Sequence, residues 1–163
     1  ITTIPNVAIA VITADCCPIL LQDSKKNIIA AIHAGWRGAK KNIIENAIKK
    51  ILELGSNIDD IKANIGPTIM QKSYQVEKEF FNDFILEDKN FEQFFICDKS
   101  HQGRYLFNLP AFVKNKLKIL GVGNIQDVKI DTYQNENYAS FRRSTHLNIK
   151  DCGRNISLII NDL

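Results

Sequence analysis

The stretch from Val11 to Gly38, VITADCCPILLQDSKKNIIAAIHAGWRG, limits the possible folds more than any other part of the chain. Two apolar, β-branched runs, Val7 to Thr13 and Ile28 to Ile32, each end at residues able to do chemistry: Asp15 and Cys16 after the first, His33 after the second. Runs of that length and branching read as strands. Ile19 to Leu21 reads as a short strand between them, and Asp23-Ser24-Lys25-Lys26-Asn27 is polar enough to fold the chain back. An antiparallel return of this kind brings His33 towards Cys16. A soft thiol and an imidazole held on neighbouring strand ends make either a nucleophile with its base or two legs of a zinc site.

Beyond Gly38, the segment Ala39 to Leu54 sets Ile43, Ile44, Ala47, Ile48, Ile51 and Leu52 against a face of Lys40, Lys41, Glu45, Lys49 and Lys50, which predicts one amphipathic helix ended by Gly55. A strand follows at Ile61 to Ile65, stopped by Gly66-Pro67. Phe80, Phe81 and Phe84 recur at helical spacing between Glu77 and Ile85, predicting a second helix whose phenylalanines serve the core rather than a stacking platform. Phe94 to Cys97 reads as a short strand or a helix end, and Tyr105 to Phe107 as a strand. Pro110 suits the start of a third helix, Ala111 to Leu120, with Gly121 beyond it. Further strands are expected at Ile125 to Ile130, around Tyr138 to Arg142, and at Asn155 to Ile160. Strands interspersed with three helices exclude an all-α fold, and the hairpin-like returns favour mixed or antiparallel sheets over a doubly wound one. The class is α+β. No repeat or linker divides residues 1–163, so one domain is expected.

The 163 residues carry 21 basic and 18 acidic side chains, a balance that does not point to a nucleic-acid partner. With 45% hydrophobic and 24% charged residues the composition is that of an ordinary globular domain. No apolar run approaches the roughly 20 residues of a membrane span, and no basic leader precedes an apolar core. A cytoplasmic location and reduced thiols are therefore expected. The four cysteines at 16, 17, 97 and 152 show no C-x-x-C spacing, and adjacent Cys16 and Cys17 are poorly placed for a disulfide. Pro18 biases Cys17 towards an extended backbone, so the loop presents Cys16 rigidly at a sheet end. The bland alternatives are a buried inert cysteine at 16 and a structural imidazole at 33; Cys17 is read as buried.

The motifs TADCCPILL, IHAGWRG, IGPTI from Ile65, SFRR from Ser140 and CGRNISLII from Cys152, in that order and spacing, resemble the YfiH family, also called laccase-domain or multicopper polyphenol oxidase proteins. The resemblance spans nearly the whole chain. It implies helix, sheet, sheet and helix layers, and a zinc-dependent purine nucleoside phosphorylase with Cys16 and His33 as two of three metal ligands. The third family ligand is a His in an upstream Q-x-H-G motif that these residues lack; with the missing initiator Met, this leads to the expectation of a domain without its N-terminal part. Asp15 is a candidate acceptor orienting a ligand His. Arg37, Arg142, Arg143 and Arg154 each fall within a matching motif, and planar guanidinium groups clamp phosphate well. Arg37, Arg142 and Arg143 are the substrate-binding candidates; salt bridges are the alternative for each. Trp36 reads as a packing anchor. His101 and His146 match no motif.

The implied reaction takes inosine or adenosine and phosphate to base and ribose 1-phosphate, with adenosine deamination possible at the same zinc. Copper is a weak alternative cofactor, since three His and four Cys are too few for a blue-copper site plus a trinuclear cluster. A cysteine hydrolase or peptidoglycan-precursor editing factor using Cys16 and His33, and an inactive fragment lacking the third ligand, are the competing readings. The sequence leaves oligomeric state open.

Overall fold

The computed structural model describes residues 1–161. The first runs form β1 (Ala8–Thr13), β2 (Cys17–Asp23) and β3 (Ile28–Ala34), and the polar turn works as expected: β2 and β3 pair antiparallel with Pro18 opposite His33 and Cys17 opposite Ala34. β4 (Lys62–Ile65) joins the other edge of β2 antiparallel, and β8 (Asn124–Asp127) pairs parallel with β4, giving a four-stranded mixed sheet ordered β3-β2-β4-β8. The α+β class with mixed and antiparallel sheets is as expected from the sequence.

The helix expected over Ala39 to Leu54 is two helices, α1 (Trp36–Lys40) and α2 (Ile43–Glu53). Asn42 breaks them at φ 63, a left-handed conformation that Asn tolerates better than most residues. The break lets α2 bury Ile44, Ile48 and Ile51 on the sheet while α1 turns Trp36 and Arg37 elsewhere. With α4 (Leu109–Ile119), capped by the Asn108 side chain accepting from the Ala111 amide, α2 covers one face of the four-stranded sheet.

The other face carries a two-stranded ribbon of β1 and β9 (Asn155–Ile160). Gly66 permits the close contact there, because a Cβ on it would lie 2.9 Å from Pro18 Cγ and 3.3 Å from Ser157 Oγ. The register Ala8↔Ile160, Ala10↔Leu158 and Ile12↔Ile156 collects six apolar residues on the ribbon's outer face, all exposed. The described residues thus supply a helix layer and two sheet layers, with no helix over that outer face.

A third sheet, ordered β5-β7-β6, is built from β5 (Gln75–Glu77), β6 (Phe95–Cys97) and β7 (Arg104–Phe107). It packs on α3 (Lys78–Glu87), and Lys89–Phe94 forms a 3-10 turn that leads into β6. The phenylalanines are core, as their spacing suggests: Phe84, Phe107 and Phe112 are completely buried, and Phe84 meets Phe107 at 5.0 Å and Phe112 at 5.5 Å between centroids. The strand expected around Tyr138 to Arg142 is absent. Ser140 instead caps α5 (Phe141–His146), its Oγ accepting from the Arg143 amide, so the alternating look of Tyr-Ala-Ser-Phe-Arg masks a helix start. β8 also stops early, since Lys129 at φ 54 turns the chain.

Truncating Phe107 to Ala is expected to lower the free energy of unfolding by about 3–5 kcal/mol. The same change at exposed Phe141 is expected to stay within about 0.5 kcal/mol. Urea unfolding of the two variants checks both.

Candidate functional site

The loop between β1 and β2 is locked by Asp15. This residue sits at φ 86, is almost fully buried, and has every acceptor engaged. Its carbonyl oxygen accepts from the Thr68 hydroxyl at 2.8 Å and the Ile69 amide at 3.0 Å. Its carboxylate accepts from the Thr132 hydroxyl at 2.8 Å and the Arg142 backbone amide at 2.6 Å. Asp15 therefore joins three loops to the first turn of α5, and its carboxylate does not bond His33, the orienting contact considered from sequence.

Cys16 follows directly and faces a cavity of about 280 Å3 whose walls include Trp36, Tyr74, Phe141 and Arg142. Gly35 leaves room for the sulfur, since a Cβ there would lie 2.9 Å from Cys16 Sγ. Burial, then the Asp15 carboxylate, push the thiol above its ordinary range. Burial likewise raises the Tyr74 phenol, against the opposing charge of Arg142. Both groups are thus neutral near pH 7.

His33 lies on β3 with Ile32 and Ala34 buried on either side of it, so the alternation of the strand sends its ring to the opposite, solvent-exposed face. Its partner Pro18 is two residues from Cys16, which precedes β2 and is not itself paired in the ladder. No hydrogen bond joins Cys16 to His33 among the described residues. His33 is not among the residues lining the Cys16 cavity.

The arginines separate clearly. Arg142 lines the cavity, lies 5.3 Å from the Tyr74 ring centroid, and donates Nη1 to the Gln75 carbonyl at 2.7 Å. Arg37 is exposed, with its guanidinium 4.4 Å from the Trp36 ring centroid. The Arg143 guanidinium donates to the carbonyls of Thr132, Tyr133, Asn135 and Tyr138, which organises the loop before α5 and leaves little for a substrate. Among the described residues Arg154 bonds its neighbours Cys152 and Gly153 alone. Trp36 is an anchor, edge-on to Phe80 at 4.7 Å, but its free surface also forms cavity wall. Tyr74 and Phe141 were missed by sequence reasoning, because nothing in QKSYQ or SFRR separates a cavity-facing aromatic from a core one. All four cysteines are free.

Among the described residues no group of three or more His, Cys, Asp or Glu side chains is placed to hold a metal ion. Cys16 and His33 have the donor chemistry of a zinc site, but catalytic zinc ordinarily takes three protein ligands. The described residues do not make a complete site of that kind.

A mixed α+β fold presenting a loop cysteine in an aromatic, arginine-bearing cleft agrees with the comparison to known proteins: the chain belongs to the family described as multi-copper polyphenol oxidoreductase laccase, whose pattern matches residues 1–162. A protein of Rickettsia conorii named a purine nucleoside phosphorylase is 47% identical over 90% of this chain and 60% of its own length. One of Rickettsia prowazekii with the same designation is 40% identical over 98% of this chain and 66% of its own. The crystal structure of Bacillus licheniformis YfiH superposes with a TM-score of 0.83 at 28% identity, covering 96% of this chain and 58% of that one. The chain thus spans about 60% of the length of the relatives it matches. No helix among the described residues is long and apolar enough to cross a membrane.

Two outcomes are expected from the loop geometry. Asp15→Ala strands the Arg142 amide and Thr132 hydroxyl and places Ala at positive φ, lowering unfolding free energy by about 1–3 kcal/mol. Asp15→Asn tolerates that φ and keeps one side-chain acceptor, for the Arg142 amide, while its amide NH2 can donate to the Thr132 hydroxyl oxygen, so it is expected to lose less stability than Asp15→Ala in the same denaturation experiment. For Cys16, alkylation by iodoacetamide, resolved site by site by mass spectrometry, is expected to be slow at pH 7. The rate should rise only above the ordinary thiol pKa of about 8.5, because only the thiolate reacts. Fast labelling of Cys16 at pH 7 would overturn the neutral-thiol assignment.

Proposed function

We propose that this chain carries the nucleoside-binding site of a purine nucleoside phosphorylase acting on inosine or adenosine. The carrying observation is the cavity in which Trp36, Tyr74 and Phe141 surround Cys16 and Arg142. Flat aromatic walls suit a purine, and base stacking on such side chains is worth about 1–3 kcal/mol per base. The names of the Rickettsia relatives support the same reading.

Within it, Asp15 is a positioning residue that fixes Cys16 and the start of α5, and Arg142 is the arginine that lines the cavity. Cys16 and His33 are proposed as two ligands of a zinc site that needs a third protein ligand beyond those the described residues bring together. Zinc, when bound, would supply a Lewis acid and an activated water, the chemistry that adenosine deamination needs. The chain's own contribution to that second activity is to hold the base against Cys16. A cytoplasmic location belongs with this reading.

The competing cysteine-hydrolase reading is disfavoured by the neutral Cys16 thiol and its lack of a hydrogen bond to His33, since a nucleophilic cysteine needs an activating base or a lowered pKa. A copper oxidase reading is disfavoured by the donor count, three His and four Cys in the chain.

Trp36 is the only tryptophan, so its emission reports directly on the cavity. Titration with inosine or adenosine is expected to quench it saturably, and Tyr74→Ala to weaken that binding at least tenfold. Phosphate-dependent release of hypoxanthine from inosine is the matching activity assay. Quenching by simple phenols but not by either nucleoside would remove the proposal.

A further inference from the structure

Beside the Cys16 cavity lies a second one of about 410 Å3, and the two share Trp36, Tyr74 and Arg142 as a common wall. Its polar side is cationic. α5 sends Arg142 and His146, four residues apart and so on one helical face, towards it. Arg104 of β7 lines the same cavity, steered by a hydrogen bond from Nη1 to Gln75 Oε1 at 2.6 Å and an ion pair with Glu77 at 3.0 Å. Glu77 is the one carboxylate on the wall among the described residues. Arg142 commits only Nη1 within the described residues, to the Gln75 carbonyl, which leaves Nε and Nη2 free. His146 shares a hydrogen bond of 3.0 Å with the Tyr133 hydroxyl through Nδ1, so Nε2 is available to a ligand.

We propose that this second cavity is the orthophosphate subsite, held by Arg142 and His146 from α5 and by Arg104 from β7; the assignment rests on the phosphorylase reading above. Guanidinium forks match the oxygens of phosphate in a way that ammonium groups do not. The purine then occupies the Cys16 cavity and the ribose crosses the shared wall over Tyr74 and Trp36, which sets phosphate beside C1′. A phosphate oxygen forms its bond to C1′ while the C1′–N9 bond breaks. The electron pair leaves with N9, and the proton of the hydrogen phosphate passes to the departing base. Ribose 1-phosphate and free purine result. Arg37 is not assigned to this subsite, because it lines a different cavity with Lys40, Asp83 and Glu87. Arg143 is excluded by its four carbonyl partners.

The same chemistry could recognise the 5′-phosphate of a nucleotide, and binding measurements on the whole chain separate the two sources. Calorimetric titration with orthophosphate is expected to show saturable binding, weakened at least tenfold by Arg142→Gln and several-fold by Arg104→Gln and by His146→Gln, and unchanged by Arg37→Gln. Melting temperatures accompany each variant; Arg104, at the cavity rim, keeps the test independent of any folding loss in Arg142→Gln. Inosine binding, read from Trp36 emission, should survive Arg104→Gln and occur together with phosphate. No phosphate binding by the unmodified protein, or equal phosphate affinity in Arg104→Gln, His146→Gln and the unmodified protein, overturns the subsite. Inosine 5′-monophosphate binding at least tenfold tighter than inosine, and displaced by phosphate, overturns orthophosphate as the occupant in favour of a nucleotide. Phosphate binding with no inosine binding overturns the phosphorylase reading alone.

Discussion

The carboxylate of Asp15 is the contact on which the rest of the site depends. A residue at φ 86 in a buried loop is not held there by local preference. It is held because its carbonyl and carboxylate oxygens accept four hydrogen bonds from Thr68, Ile69, Thr132 and Arg142, two of them to a charged acceptor. All four donors lie far from Asp15 in sequence. One side chain thereby sets the direction of Cys16 and the position of α5, and with α5 the places of Arg142 and His146 in the neighbouring cavity.

The second support is the aromatic core. Phe84, Phe107 and Phe112 are completely buried, and the cluster extends through half-buried Phe80 to Trp36 and Tyr74 at the cleft. The cavity wall is therefore the outer edge of the hydrophobic core rather than a flexible surface. Close packing gives such a wall little freedom to move, which suits a flat ligand that binds by stacking. The rings at the edge of the core also orient cations: Arg142 lies over Tyr74 inside the cleft, and Arg37 lies over Trp36 outside it.

The electrostatic character follows from burial. Cys16 and Tyr74, the two groups that could bring negative charge to the cleft, are both kept protonated, chiefly by desolvation. Asp15 is covered by its donors. Glu77, on the wall of the neighbouring cavity, is paired with Arg104; guanidinium and imidazole from Arg142 and His146 remain for a ligand, and that environment favours an oxyanion next to an apolar, aromatic slot.

How much of this was legible in the sequence depended on range. β-branched runs, the polar turn at Asp23 to Asn27, and the spacing of Phe80 and Phe84 are local patterns, and they yielded the β2–β3 hairpin, the core helix α3 and the α+β class. The motif residues Cys16, His33 and Arg142 were likewise visible as chemistry-bearing side chains at element ends. The break at Asn42 and the capped start of α5 at Ser140 were misread, because one left-handed residue or one capping hydroxyl outweighs a periodicity without altering it. Which arginine meets the cleft could not be read at all. Arg142 and Arg143 are adjacent and chemically identical, yet helical geometry sends one to the Tyr74 ring and the other to four carbonyls of a loop. The sequence by itself determined which residues could do chemistry and where the β1–β3 strands that flank Cys16 and carry His33 would run; only the tertiary structure decided which of those residues share a cavity, because that depends on hydrogen bonds and packing between segments far apart in the chain.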